Sequence, residues 1–241
     1  MTAELTHATL DTIPAIYALP APTNDRHQLA LFLPHLGGTK EAVSRQLSEL
    51  SGRGFTAISF DPWRAGQRGS GDDRALMGEV FTHFRRYMWP ILGQSTLDAV
   101  HVLDWAIEYF NVAADSIVAG GLSMGGDISI ALAGIDHRVT RVAAVAATPD
   151  WTRPGMHSVA DPATIIDQGE PTAYGQWLYQ QINPATHPNH YTHGPAIAFE
   201  LGARDTHVPP ASATAFHTTL RSAAPLAAER MRITQHTGRD H

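Results

Sequence analysis

A serine hydroxyl becomes a useful nucleophile near neutral pH only when a base stands within hydrogen-bond reach and an acid fixes that base's tautomer. The stretch Gly120-Gly121-Leu122-Ser123-Met124-Gly125-Gly126 offers such a serine. A short strand-like run, Ser116-Ile117-Val118-Ala119, precedes it, and a helical pattern, Asp127-Ile128-Ser129-Ile130-Ala131-Leu132-Ala133, follows. G-x-S-x-G is a weak pattern by itself. Between a strand and a helix it describes a sharp turn that lifts the hydroxyl clear of the sheet. Gly121 and Gly125 flank the serine because a Cβ at either would collide with the neighbouring strand or helix. The helix starts at the serine, so its free N–H groups and positive dipole end face any oxyanion formed there.

The acid and base must come from loops after later strands, in chain order Ser, Asp, His. Asp205, in Leu201-Gly202-Ala203-Arg204-Asp205-Thr206-His207-Val208-Pro209, follows an apolar run, Ala196-Ile197-Ala198-Phe199, by a few residues. That places its carboxylate at the carboxyl edge of a strand. Asp150 also ends a strand and is the second candidate. His236 and His241 are the candidate bases. His236 extends the final strand, where a side chain points into a sheet face; His241 lies beyond Thr237-Gly238-Arg239-Asp240, on the loop where the base belongs. This favours His241, with His236 as the alternative. An oxyanion hole needs two aimed N–H donors. Met124 supplies one, and the loop after Leu29–Leu33 the other, with Leu36 the best candidate.

The elements that must carry these residues alternate. Ile13–Leu19 reads as an edge strand, Leu29–Leu33 as a strand buried on both faces, and residues 40–52 as a helix with Thr39 as N-cap. Residues 54–60, 117–119, 141–147, 196–199 and 231–235 read as further strands, and 96–110, 127–133 and 210–221 as helices. Strand–helix alternation predicts an α/β fold: a mostly parallel central sheet flanked by helices, with right-handed crossovers. Residues 150–193 lose all periodicity and are too long for an ordinary connection, which predicts a lid inserted over the site. The aromatic residues of 81–89 read as core or pocket wall. Trp63 and Trp89, with the tryptophans and tyrosines of 151–179, suggest an apolar pocket of modest size.

With 241 residues, 43% apolar and 17% charged, the chain suits one domain over 1–241. Its net charge of −6 makes nucleic acid and anionic membrane poor partners. The absence of cysteine excludes disulfides and thiolate metal sites. No basic, apolar leader opens the sequence and no apolar run approaches the ~20 residues of a membrane span, so a cytoplasmic protein is expected. The glycines of 64–69 lack the Gly-Lys-Ser/Thr of a phosphate loop. His187-x-x-His190-x-x-His193 has metal-like spacing without a carboxylate beside it, and Asp72-Asp73 reads as a solvated turn. Neither a metal nor a cofactor is expected.

These residues together resemble the α/β-hydrolases, and within them the small bacterial serine esterases of the dienelactone-hydrolase-like and prolyl-oligopeptidase-like branch. The resemblance rests on Thr39-Lys40-Glu41, Asp61-Pro62-Trp63 with Gly66-x-Arg68-Gly69, Gly121-Leu122-Ser123-Met124-Gly125-Gly126, Gly202-x-x-Asp205-x-x-Val208-Pro209 and Gly238-x-x-His241. It implies a Ser123–His241–Asp205 triad that cleaves carboxylic esters of small molecules through an acyl-enzyme, and its Gly-x-x-His ending adds to the case for His241. The sequence departs from the family pattern in three places. Pro34-His35 stands where His-Gly is usual. Ser123 replaces the cysteine of dienelactone hydrolases proper. The sequence stops at His241, where a helix normally follows: a shortened or minimal variant of the pattern, whose bare sheet surface would favour a homodimer. Acyl transfer, or amide and peptide cleavage, would use the same triad. A ligand-binding module that kept the fold would have no need of it.

Overall fold

The structure, a computed structural model, describes residues 4–159 and 161–241. Its strands are β1 (Leu5–Leu10), β2 (Ile13–Ala18), β3 (Gln28–Leu33), β4 (Phe55–Phe60), β5 (Ile117–Leu122), β6 (Val139–Val145), β7 (Ala196–Gly202) and β8 (Arg232–His236). They form one sheet in the order β1-β2-β4-β3-β5-β6-β7-β8. β1 and β2 run antiparallel to their neighbours, and every pair from β4 to β8 is parallel. The helices are α1 (Ser44–Gly52), α2 (Asp73–Thr82), α3 (Phe84–Phe110), α4 (Met124–Ile135), α5 (Ala173–Ile182), α6 (Ala211–Ala223) and α7 (Pro225–Glu229). Among the described residues no helix is long and apolar enough to cross a membrane.

The strand order creates the crevice. β3 connects outward to β4 on one side, while β5 lies on its other side. The loops leaving the carboxyl ends of β3 and β5 therefore part, and ligands enter such α/β sheets where they do. β3 and β5 are central because they are apolar on both faces, and α4 lies beneath them. Every residue of α4 from Met124 to Gly134 is buried. A helix apolar on all sides is stable only when surrounded.

Several elements differ from expectation. The edge strand is β1, with β2 inside it. Half of β1 is exposed and only Leu10 is buried, so it carries little of the apolar signal that marks a strand. Residues 40–43 form a 3-10 turn before α1, and Thr39 Oγ donates to the Glu41 carboxylate (2.7 Å) instead of capping a helix. α3 starts at Phe84 and runs through Pro90. Asp72 is the N-cap of α2, accepting from the Ala75 N–H at 2.9 Å.

The stretch 150–193, expected as a lid, divides in two. Trp151, Leu178 and Tyr191 are fully buried in the main core. α5 lies directly on α3: a Cβ on Gly93 would stand 2.7 Å from Leu178 Cβ. Its core face is too narrow, at Leu178 and Ile182, to show as a period in the sequence. Of its described residues, Arg153, Ser158, Val159 and Ile166 line the crevice beside Ser123.

The motif glycines have measurable jobs. A Cβ on Gly121 would lie 2.3 Å from the Gly125 carbonyl carbon, and one on Gly125 would lie 2.3 Å from the Leu33 carbonyl oxygen. Gly78, in α2, has open space around the same position. Gly121→Ala is therefore expected to lower unfolding free energy by at least about 3 kcal/mol. Gly78→Ala is expected to raise it by about 0.5–1 kcal/mol. Urea titration of the two variants beside the parent protein measures both.

Candidate active site

Ser123 sits between β5 and α4 with φ 49° and ψ −115°, backbone that side-chain-bearing residues rarely adopt. Its N–H donates to the Val145 carbonyl (2.8 Å), and its carbonyl accepts from Gly126 and Asp127. The turn is thus held from both sides, and the side chain is left at the crevice.

Asp205 follows β7 and is 3% exposed. Its Oδ1 accepts from the backbone N–H groups of His207 (2.9 Å) and Val208 (2.7 Å). Two fixed donors on one oxygen leave Oδ2 aimed at the ring of His241, whose Nδ1 is 2.9 Å away. A carboxylate only accepts, so Nδ1 carries the hydrogen and Nε2 presents its lone pair. Nε2 faces Ser123 Oγ at 3.1 Å.

The tail after β8 makes this meeting possible. Gly238, at φ 75°, turns the chain back over the β7 end. The Arg204 N–H donates to the Arg239 carbonyl (2.9 Å), and a Cβ on Gly202 would lie 2.4 Å from the Asp240 carbonyl oxygen. His236, still within β8, pairs instead with Glu200 across the strand pair (2.6 Å). Asp150 spends its carboxylate on the Thr152 N–H (2.9 Å) and hydroxyl (2.7 Å). The structure therefore brings Ser123, His241 and Asp205 together, and neither alternative joins them.

Met124 is the first residue of α4, where an N–H has no acceptor within the helix. Leu36 lines the cavity beside Ser123 on the loop after β3. That loop is pinned from behind. Asp61, fully buried at the end of β4, accepts from Lys40 N (2.9 Å), Lys40 Nζ (3.0 Å) and Gln67 N (3.0 Å). Gly66 is required there, because a Cβ would meet the Asp61 carboxyl at 2.5 Å. The Thr-Lys-Glu and Asp-Pro-Trp motifs thus hold the loop that carries Leu36.

The cavity that opens on Ser123 holds about 400 Å³. Leu36, Met77, Phe81, Phe84, Met88 and Ile166 give it an apolar wall. The tryptophans expected there stand elsewhere. Trp89 stacks on Tyr179 and donates to the Trp151 carbonyl in the core, and Trp63 lies half-exposed under Arg68. Buried indole N–H groups favour a partner, and Trp89 finds one there, whereas the buried Trp151 Nε1 has none among the described residues.

Three polar residues that the sequence did not single out line the cavity: Arg153, Ser158 and His207. His207 packs edge-on against His241, with ring centroids 4.9 Å apart, and Phe81 covers it. Burial first, then the Arg153 charge, pushes its imidazole down to about 4. Its Nδ1 donates to the His157 carbonyl (2.9 Å), which fixes the neutral tautomer. Arg153 is 1% exposed and pairs with the buried Asp127 of α4 at 2.6 Å. Among fourteen histidines nothing local marks His207, and Arg153 sits in an aperiodic stretch. The histidines at 187 and 190 stack on each other, and His193 stacks on His137, away from this crevice.

A family model described as the prolyl oligopeptidase family matches residues 68–241. The chain belongs to the prolyl oligopeptidase family. It has the α/β-hydrolase fold, and membership makes it a serine hydrolase. Solved structures share the fold. TT1662 of Thermus thermophilus is 22% identical, with a TM-score of 0.71 over 100% of this chain and 91% of that one. A thermophilic esterase of Thermogutta terrifontis is 18% identical, with a TM-score of 0.64 over 100% and 83%. An acylaminoacyl peptidase of Pyrococcus horikoshii is 12% identical, with a TM-score of 0.71 over 100% of this chain but 38% of that one. No curated protein matches the sequence.

The depressed His207 ties this site to stability. With a folded value of about 4 and an ordinary value near 6.5, the unfolded chain takes up the proton first as pH falls. The stabilisation is complete above about 6.5 and drains away towards 4. Between pH 7.5 and 4.5 it amounts to about 2–3 kcal/mol. His207→Asn is expected to lose that much less stability than the parent over the same range, measured by urea unfolding at both pH values.

Proposed function

We propose that this family member hydrolyses carboxylic esters through an acyl-enzyme, with Ser123 as nucleophile, His241 as base and Asp205 as the acid that orients it. The observation that carries this reading is the unbroken line of hydrogen bonds from Ser123 Oγ through the His241 ring to Asp205. Ser123 Oγ attacks the ester carbonyl while His241 Nε2 takes its proton. The N–H groups of Met124 and Leu36 receive the oxyanion, and the N-terminal end of α4 adds its dipole. As the tetrahedral intermediate collapses, His241 returns the proton to the departing alkoxide. Water then gives a proton to the same ring, attacks the acyl carbonyl, and releases the acid with Ser123 restored.

An ester, rather than a peptide, is supported by the cavity. Its wall is apolar over most of its extent, which suits an alkyl or aryl group of modest size. Ser158, Val159 and Ile166, from the aperiodic stretch, also line it. The likeness to an esterase in fold is consistent with this choice.

Nitrophenyl esters of increasing chain length, beside the matching anilides, test the reaction class. Esters are expected to turn over far faster; preferential cleavage of anilides would move the reading to amide hydrolysis. Ser123→Ala is expected to lose about 10⁴-fold or more of kcat with the fold intact. Asp205→Asn should fall by orders of magnitude, Asp150→Asn should not, and a reversal would reassign the acid. His241→Ala is expected to be inactive while His236→Ala keeps at least about a tenth of parent kcat/KM. The opposite pair of results would make His236 the base.

A further inference from the structure

A neutral imidazole with one nitrogen committed to a carbonyl presents a lone pair on the other. His207 is in that state at the cavity. Its backbone N–H donates to Asp205 Oδ1, and its Nδ1 donates to the His157 carbonyl at 2.9 Å. The His157 N–H in turn donates to the Thr206 carbonyl (2.9 Å), so the two segments clamp each other and the ring is held. Phe81 and His241 pack against that ring, with centroids 5.4 and 4.9 Å away. Nε2 has no hydrogen-bond partner among the described residues, yet it is not sealed from solvent as the two ring nitrogens of His193 are. The residue lines the cavity that opens on Ser123. A fixed ring and an open, unpartnered acceptor thus coincide beside the nucleophile.

We propose that His207 is a specificity-determining residue: its Nε2 accepts a hydrogen bond from a hydroxyl group on the part of the ester that fills the cavity. The substrate class is then a hydroxylated ester, built from a hydroxy acid or from a diol. Burial and the Arg153 charge keep the ring neutral throughout the range where His241 can act as base, so Nε2 stays an acceptor. The same Arg153 charge disfavours an ammonium group as the donor. A carboxylate has no hydrogen to give. At His35, Nδ1 is likewise spent on a carbonyl, that of Leu36 (2.8 Å), so its ring when neutral adds a second acceptor on an exposed residue of the wall. The imidazoles of the wall therefore match a donor. Much of the remaining wall is Leu, Met, Phe, Val and Ile, against which a hydroxyl finds no partner. Sites built to hydrogen-bond a ligand hydroxyl discriminate against analogues that lack it.

The inference rests on the ester-hydrolase reading, and the test separates the two. Nitrophenyl hexanoate is compared with its α-, β- and ω-hydroxy derivatives, and hexyl acetate with the monoacetate of the α,ω-hexanediol. The methyl ether of each hydroxy ester and the ω-ammonium hexanoate ester are included. Rates are normalised to hydroxide-catalysed hydrolysis, which removes intrinsic reactivity. One hydroxyl position is expected to raise normalised kcat/KM by about two- to tenfold in the parent protein, the range for one hydrogen bond between neutral groups. Its methyl ether, which cannot donate, is expected to lose that gain. His207→Phe keeps a ring against His241 and Phe81 and removes the acceptor, and it should abolish the ratio of hydroxylated to plain ester. His207→Asn keeps a donor for the His157 carbonyl, leaves no acceptor where Nε2 stood, and should do the same if the phenylalanine variant fails to fold. A purely structural histidine would change all esters alike and leave the ratio unchanged. Equal normalised rates in the parent, a gain shared by the methyl ether, a larger gain for the ammonium ester, or a gain that survives in either folded variant overturns the inference while the ester-hydrolase reading stands. Absence of turnover for every ester removes both.

Discussion

The constraint on which the site depends is a close approach between backbones. α4 comes so near to β3 and β5 that a single added carbon at Gly121 or Gly125 would meet main-chain atoms at 2.3 Å. Two consequences follow. α4 can begin directly after the strand, which forces Ser123 to take the bend alone at φ 49°. The N-terminal end of α4 is also delivered to the crevice between the β3 and β5 loops, with its first N–H groups unspent. Neither would survive a longer, relaxed connection. The strain at Ser123 is held by the Val145 carbonyl on one side and by Gly126 and Asp127 on the other.

Around that turn the polar groups form two sets. One is satisfied within the protein: Asp61 with Lys40 and Gln67 behind the β3 loop, and Asp205 with two backbone donors behind His241. These carboxylates have their lone pairs assigned, so they fix the loops they touch. The other set, Arg153 with Asp127 and His207 with the His157 carbonyl, borders the cavity.

The sequence made the fold legible where local pattern is strong. β3, β4, β5 and β7 are short apolar runs, and α4 is apolar on all sides, so their existence followed from composition and period alone. The elbow was legible because strand, glycine-flanked serine and helix occur in one contiguous stretch. β1 was not, because only Leu10 of its six residues is buried and they carry no alternation. α5 was not, because its packing depends on Gly93 of a helix eighty residues earlier leaving room for Leu178. Trp63 and Trp89 were placed at the pocket on residue type, but their surroundings are set by partners far away in the chain.

What the sequence by itself determined is the nucleophile turn, the α/β alternation and the motifs of the prolyl oligopeptidase family. Each is encoded in neighbouring residues and needs no distant contact to be recognised. Tertiary structure alone decided which histidine and which aspartate meet Ser123. His241 and His236 are five positions apart in the same tail, and only the turn at Gly238 and the docking of 239–240 on Gly202 send one to the crevice and leave the other on the sheet. It also decided that Arg153 and His207, distant in sequence from the elbow, share its cavity. The physical reason is the same in both cases: a period or a motif reports on the backbone within a few residues, whereas a hydrogen bond across the crevice depends on how separately formed elements pack.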